Sequence, residues 1–205
     1  MTLFAFTLVR CYLDNTQGSR KLKLYDLWSV DRHGEAERFS AHDSITNRRL
    51  LWHGTNVAVV AAIVKSGLRI MPHSGGRVGK GIYLASENEK SQGYVCPAYG
   101  NYGKYDNVGI MFLCEAALGK EATITADNSR LTKAPKGFNS VVARGQQEPN
   151  PKMDTVLTLD GKNVTVPQGK PNKVKEFADS SFYNSEYLVY QESQQRIRYM
   201  MTLKF

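Results

Sequence analysis

Three segments of the chain carry polar side chains able to do chemistry. They are Leu50-Leu51-Trp52-His53-Gly54-Thr55, then Gly79-Lys80-Gly81-Ile82-Tyr83-Leu84-Ala85 followed by Lys90-Ser91-Gln92-Gly93-Tyr94, and Ser185-Glu186-Tyr187-Leu188-Val189-Tyr190. An imidazole, a phenol and a carboxylate are groups of proton transfer and of hydrogen-bonded positioning. One at a time they say little. A histidine leaving a strand is usually satisfied or at the surface, Tyr83 reads as strand core, and Glu186 reads as a solvated strand end.

Familiar motifs fail. The loop Gly75-Gly76-Arg77-Val78-Gly79-Lys80-Gly81 invites a phosphate-loop reading, but Ser74 stands five positions before Gly79 and Gly81 replaces the magnesium-holding hydroxyl. The fingerprint GxGxxG fails because Leu84 stands where the third glycine belongs, so any dinucleotide is bound outside a Rossmann domain. No GxSxG is present, and no Cys–His pair has a recognisable local context. The four histidines show no HExxH spacing and the three cysteines no CxxC pair, so neither a metal site nor a disulfide framework is expected.

The elements that must position these groups are mostly strands. Phe4, Phe6 and Leu8 alternate with Ala5, Thr7 and Val9, which predicts an opening strand. Leu22 begins a second strand, and Arg49 to His53 forms a third that turns at Gly54. Asn56 to Ser66 predicts a helix with Val57, Val60, Ala61 and Val64 on one face, Thr55 as cap and Gly67 closing it. Pro72 to Gly81 is a loop, Ile82 to Ala85 a strand, and Ser86 caps a helix running through Tyr94. Val108 to Ala117 is a buried strand, and Asp154 to Gln168 a hairpin turning at Asp160-Gly161. Glu186 to Tyr190 and Arg196 to Phe205 close the chain, the last with Ile197, Tyr199, Met201, Leu203 and Phe205 on one face. Many strands and few helices without regular alternation point to an α+β fold.

At 205 residues the chain forms one domain with a well-buried core. No run of apolar residues is long enough to span a membrane. The net charge of +8 is spread thinly: it describes a solvated basic surface, or attraction toward pyrophosphate, nucleic acid or an acidic protein. Free thiols suit a reducing compartment.

Read together and in order, the segments resemble the histidine–tyrosine–glutamate signature of the poly(ADP-ribose) polymerase family. HGT, GLRI (Gly67 to Ile70), GKGIY, KSxGY, Pro135 to Gly145, LDG (Leu159 to Gly161), SEYLVYQ and the apolar C-terminal strand carry the likeness. The resemblance implies an ADP-ribosyltransferase fold: two packed, mostly antiparallel sheets with a few short flanking helices and a non-Rossmann NAD+ site. It implies transfer of ADP-ribose from NAD+, as substrate and without metal, to an acceptor.

By the same resemblance, the Gly54 backbone and the Ser91 hydroxyl hold the nicotinamide amide. Tyr94 stacks on the ring, Tyr83 packs opposite, and His53 bonds the adenosine ribose. Glu186 is the catalytic residue; Arg69 and Ser74 belong to the adenine and phosphate side, and Lys90 and Asn184 to the acceptor side. Polymer-forming relatives carry a tyrosine where Asn184 stands, and the donor loop GLRIMPHSGGRVGKGIY is short. Both features favour single-unit transfer, with polymer formation or a weakly catalytic NAD+/ADP-ribose-binding module as alternatives. The family further implies a nuclear location, extending to the cytoplasm, and a part in DNA repair. Histones, other acceptor proteins or DNA ends are its expected partners. A regulatory helical domain is expected to be absent from residues 1–205, leaving DNA contact to domains outside them.

Overall fold

The computed structural model describes residues 2–73, 75–97 and 106–205. It opens with a helix where a strand was expected: α1 spans Leu3–Thr16. The short alternation of Phe4, Phe6 and Leu8 is overridden by a longer period. Ala5, Leu8, Val9, Tyr12, Leu13 and Thr16 are the buried residues, a spacing of three and four that fits a helix face. The Thr2 hydroxyl accepts from the Ala5 N–H and starts the first turn.

The remaining elements follow as β1 (Lys23–Ser29), α2 (Glu35–Ser40), β2 (Arg48–Gly54), α3 (Val60–Ser66), β3 (Ile82–Ala85) and α4 (Asn88–Gln92). After them come β4 (Val108–Ala117), β5 (Glu121–Ile124), β6 (Ser140–Ala143), β7 (Gln147–Pro149), β8 (Thr155–Leu159), β9 (Lys162–Val166), β10 (Pro171–Lys173), β11 (Glu186–Val189) and β12 (Gln195–Lys204). Both middle helices are shorter than expected. Asn56, not Thr55, caps a tight turn at Val57–Val59 ahead of α3, and Val60 is the only buried residue of that helix proper. Ser86 is buried and caps nothing; Glu87 precedes α4, and Tyr94 lies beyond its end.

The main sheet runs β1-β12-β4-β2-β3-β11-β6-β5. The two expected sheets are its halves, β1-β12-β4-β2 and β3-β11-β6-β5, joined by the single register pair Trp52↔Ala85. The hairpin β8–β9 leans on β2 through a parallel pair at Arg49↔Thr165, and β5–β6 is also parallel; the other ladders among the described residues are antiparallel. The seam between the halves is where pairing is sparsest, and it opens on the site.

A bulge in β12 between Ile197 and Tyr199 splits the face expected to be continuous. Tyr199, Met201 and Leu203 pack with α1, whereas Ile197 joins Leu51, Phe112 and Tyr187 in a second cluster. Beneath β2, the Tyr12 and Trp52 rings meet at 4.8 Å, and both side chains are fully buried. Trp52 precedes His53, so this packing anchors the strand end that carries the imidazole.

Candidate active site

His53 and Gly54 end β2, Tyr83 lies within β3, and Glu186 begins β11. The antiparallel register Glu186↔Ala85 and Leu188↔Tyr83 brings the carboxylate alongside the tyrosine strand. These residues and Lys90, Ser91 and Tyr94 from the α4 region line one cavity of about 220 Å³. Residues 133 positions apart in sequence, His53 and Glu186, thus face the same space.

His53 is held by its Nδ1, which lies 2.9 Å from the Tyr83 carbonyl oxygen. Only a protonated nitrogen can pair with a carbonyl, so Nδ1 donates. Burial pulls the imidazole below its ordinary value, with the Tyr83 bond opposing. The ring is therefore neutral near pH 7, and Nε2 offers a lone pair to a ligand hydroxyl.

Tyr83 clamps the loop before it. Its hydroxyl donates to the Gly79 carbonyl at 2.7 Å and accepts from the Val78 N–H at 3.0 Å. Burial pushes this phenol up, so it keeps its proton. Gly79 itself adopts φ +82°, and a Cβ there would sit 1.9 Å from the Leu131 carbonyl oxygen. Gly79 is thus a position of close backbone approach, in place of the phosphate cradle the loop's spacing resembled.

Gly54 has two physical reasons to be glycine. It leaves the cavity wall bare, and a Cβ there would lie 1.9 Å from the Ser91 backbone oxygen. The second reason could not be read from the sequence, because it depends on α4 crossing the end of β2.

Glu186 is 3% exposed, and the Lys90 ammonium lies 2.6 Å from its Oε1. Burial pulls Lys90 down, but the hydrogen bond and charge of Glu186 outweigh it and the ammonium is held above its ordinary value. Lys90 also stands 5.6 Å from the centre of the Tyr94 ring, which is half exposed at the cavity mouth. Lys90 is therefore a partner of the carboxylate and not a free helix lysine.

The other expected site residues divide. Arg69 lines an adjoining cavity of about 530 Å³ that shares His53 and Tyr83 with the first, and it pairs with Glu192 at 2.7 Å. Ser74 lies outside the described residues. Asn184 does not line the cavity; it is 9% exposed and bridges to Gln147. Sequence reasoning missed Glu87, fully buried just before α4, whose Oε2 accepts from Gln147 Nε2 at 2.7 Å. Burial pushes its carboxyl up to about 7. No local pattern marks such a residue, since its partner Gln147 comes from β7, sixty residues further along the chain. Among the described residues no group of three or more metal-ligating side chains comes together.

The fold and this cavity define the class. Residues 5–205 match the model of the poly(ADP-ribose) polymerase catalytic domain, and the chain belongs to that family. It is 54% identical over 201 residues to "Protein mono-ADP-ribosyltransferase PARP3" of Homo sapiens, covering 96% of this chain and 36% of the human protein. With the Mus musculus protein of the same name it shares 56% over 200 residues, covering 97% and 37%. "Poly [ADP-ribose] polymerase 1" of Xenopus laevis is 35% identical over 195 residues, covering 93% and 18%. The chain spans little more than a third of the length of the first two relatives.

Proposed function

We propose that this domain transfers ADP-ribose from NAD+ to acceptor side chains with release of nicotinamide. The observation that carries the proposal is the convergence of His53, Tyr83 and Glu186 on one cavity with Gly54, Ser91 and Tyr94. NAD+ breaks the bond between nicotinamide and ribose through a transition state that spreads positive charge over the ribose. A catalyst for this step fixes the departing amide and places negative charge by the sugar.

Each side chain has a part in that task. The Gly54 backbone and Ser91 hydroxyl grip the carboxamide, and Tyr94 covers the ring by offset stacking. Tyr83 walls the site and holds the donor loop. Neutral His53 accepts from the adenosine ribose hydroxyl at the junction with the adjoining cavity, where Arg69 stands, with Ser74 assigned to the same side. Glu186 accepts from the ribose 2′-hydroxyl, stabilises the developing cation and orients the nucleophile. Lys90, now paired with Glu186, moves to the acceptor when the ribose hydroxyl takes its place.

Transfer of single units is favoured by Asn184, which is folded away against Gln147 and offers no ring to an existing ADP-ribose unit. The name carried by the human and mouse relatives supports the same reading. Acceptor proteins, histones among them, or DNA ends are the proposed partners, and a nuclear part in DNA repair is the proposed setting. Residues 1–205 are proposed to act as one catalytic domain.

The test is to incubate the chain with labelled NAD+ and a histone mixture beside Glu186→Gln, following label transfer and nicotinamide release. Discrete labelled bands that vanish in the variant are expected. Absence of both signals in the wild type, despite NAD+ binding, would leave a binding module.

A further inference from the structure

A second cavity, of about 490 Å³, lies beside the first and shares no lining residue with it. The two are neighbours along the chain: Ser185 lines the second, and Glu186 lines the first. The β6 continuation Arg144-Gly145, β7 and the end of β10 supply further parts of its wall.

Its charge is one-sided. Arg49, Arg144, Lys173 and Lys175 face a single lining carboxylate, Glu148. The Tyr187 hydroxyl donates to Glu148 and occupies one of its oxygens. The two guanidinium groups form a floor held in place. Arg49 lies 5.9 Å and Arg144 6.0 Å from the centre of the fully buried Tyr187 ring. Each has an acidic neighbour outside the cavity: Asp154 at 3.9 Å from Arg49 and Glu121 at 2.7 Å from Arg144. The Arg49 Nε is buried without a hydrogen-bond partner among the described residues. Lys173 and Lys175 stand exposed at the rim, and their side chains form no ion pair among the described residues.

We propose that this cavity is a second anion site, taking a pyrophosphate group. With Asp154 and Glu121 counted, four cations stand against three carboxylates, and the remaining positive charge lies with the rim lysines, whose ammonium groups and the guanidinium N–H groups together suit two linked phosphoryl groups. The fixed guanidinium floor matches phosphate oxygens in fork geometry, and the rim lysines close on them as mobile point charges. The volume falls within the usual range of small-molecule sites, which separates it from a flat polyanion surface. Phe177, Asn150 and Asn172 add an apolar wall and amides, a lining that accommodates a nucleoside beyond the pyrophosphate. The source of the group is therefore either free pyrophosphate or a pyrophosphate ester such as ADP-ribose.

Calorimetric titration of the full chain with inorganic pyrophosphate, and separately with ADP-ribose, tests this against the Lys173→Ala/Lys175→Ala double variant. Both lysines are at the surface and outside the NAD+ cavities, so nicotinamide release from NAD+ is expected to stay unchanged. Pyrophosphate affinity is expected to fall about tenfold or more in the variant, and the wild-type affinity to drop as salt is raised. A larger loss for ADP-ribose than for pyrophosphate identifies the ester as the occupant; equal losses identify the free anion. Equal affinity of wild type and variant for pyrophosphate, or no binding by the wild type, overturns the proposal. Because these titrations contain no NAD+, the outcome is independent of whether Glu186→Gln abolishes transfer.

Discussion

Glu186 and Lys90 form a contact that the substrate must rearrange, and this makes the carboxylate the residue with the sharpest test. Glu186→Gln keeps the shape and one hydrogen-bond acceptor but removes the charge that a cationic transition state needs. Its kcat is expected to fall by about 100-fold or more while the KM for NAD+ changes little, because the lost interaction strengthens only in the transition state. Tyr83→Phe acts differently. It removes the hydroxyl that joins the Gly79 carbonyl to the Val78 N–H, loosening the loop without touching charge. A rise in KM exceeding any fall in kcat is expected, with a stability loss of about 1–3 kcal/mol in denaturant unfolding. An equal fall in kcat with unchanged KM would assign Tyr83 to the chemical step instead.

At the scale of elements, the site depends on two close crossings. The end of β2 lies against α4 so tightly that Gly54→Ala would drive a methyl group into the Ser91 carbonyl, with only 1.9 Å available. Helix and strand must separate, moving Ser91 and Lys90 away from Glu186. Loss of nicotinamide release with a lowered melting temperature is expected, and a fully active variant would refute the crossing. On the opposite side, α1 supports β2 through Tyr12 and Trp52. Trp52→Ala is expected to cost about 3–5 kcal/mol, read as a shift of the denaturation midpoint.

The elements also separate what local pattern reveals from what it does not. β2, β4, the β8–β9 hairpin, β11 and β12 were legible because apolar alternation and the Asp160-Gly161 turn are local signals; both turn residues adopt positive φ. The opening helix was misread because six residues of alternation fit a strand while fourteen residues of spacing fit a helix. The short strands β5, β6, β7 and β10 carry too few residues to show any period.

For the whole molecule, pH dependence follows from Glu87, buried where three parts of the fold meet. Its carboxyl is pushed up to about 7 from an ordinary 4.5, so the folded state holds a proton that the unfolded state has already released. Stability is therefore highest at and below about 4.5 as far as this group is concerned. It declines as pH rises to about 7 and is level above that. The loss is on the order of 3 kcal/mol. Glu87→Gln, which removes the charge and keeps the size, is expected to flatten that decline and to raise the melting temperature at pH 8. An unchanged slope would show that the carboxyl is ionised without penalty.

By itself the sequence determined the chemistry available to this protein: an imidazole, a phenol, a hydroxyl and a carboxylate embedded in ordered motifs, most on strands whose apolar pattern is local. It also determined that a dinucleotide cannot be held by a Rossmann or phosphate-loop turn. Only the tertiary structure decided that Lys90 rests on Glu186, that Asn184 is turned away from the cavity, that Glu87 is buried, and that four cations gather around a second cavity. Each of these depends on contacts between segments far apart in the chain. Burial, pairing and the charge of a cavity belong to those contacts, and no stretch of sequence contains them.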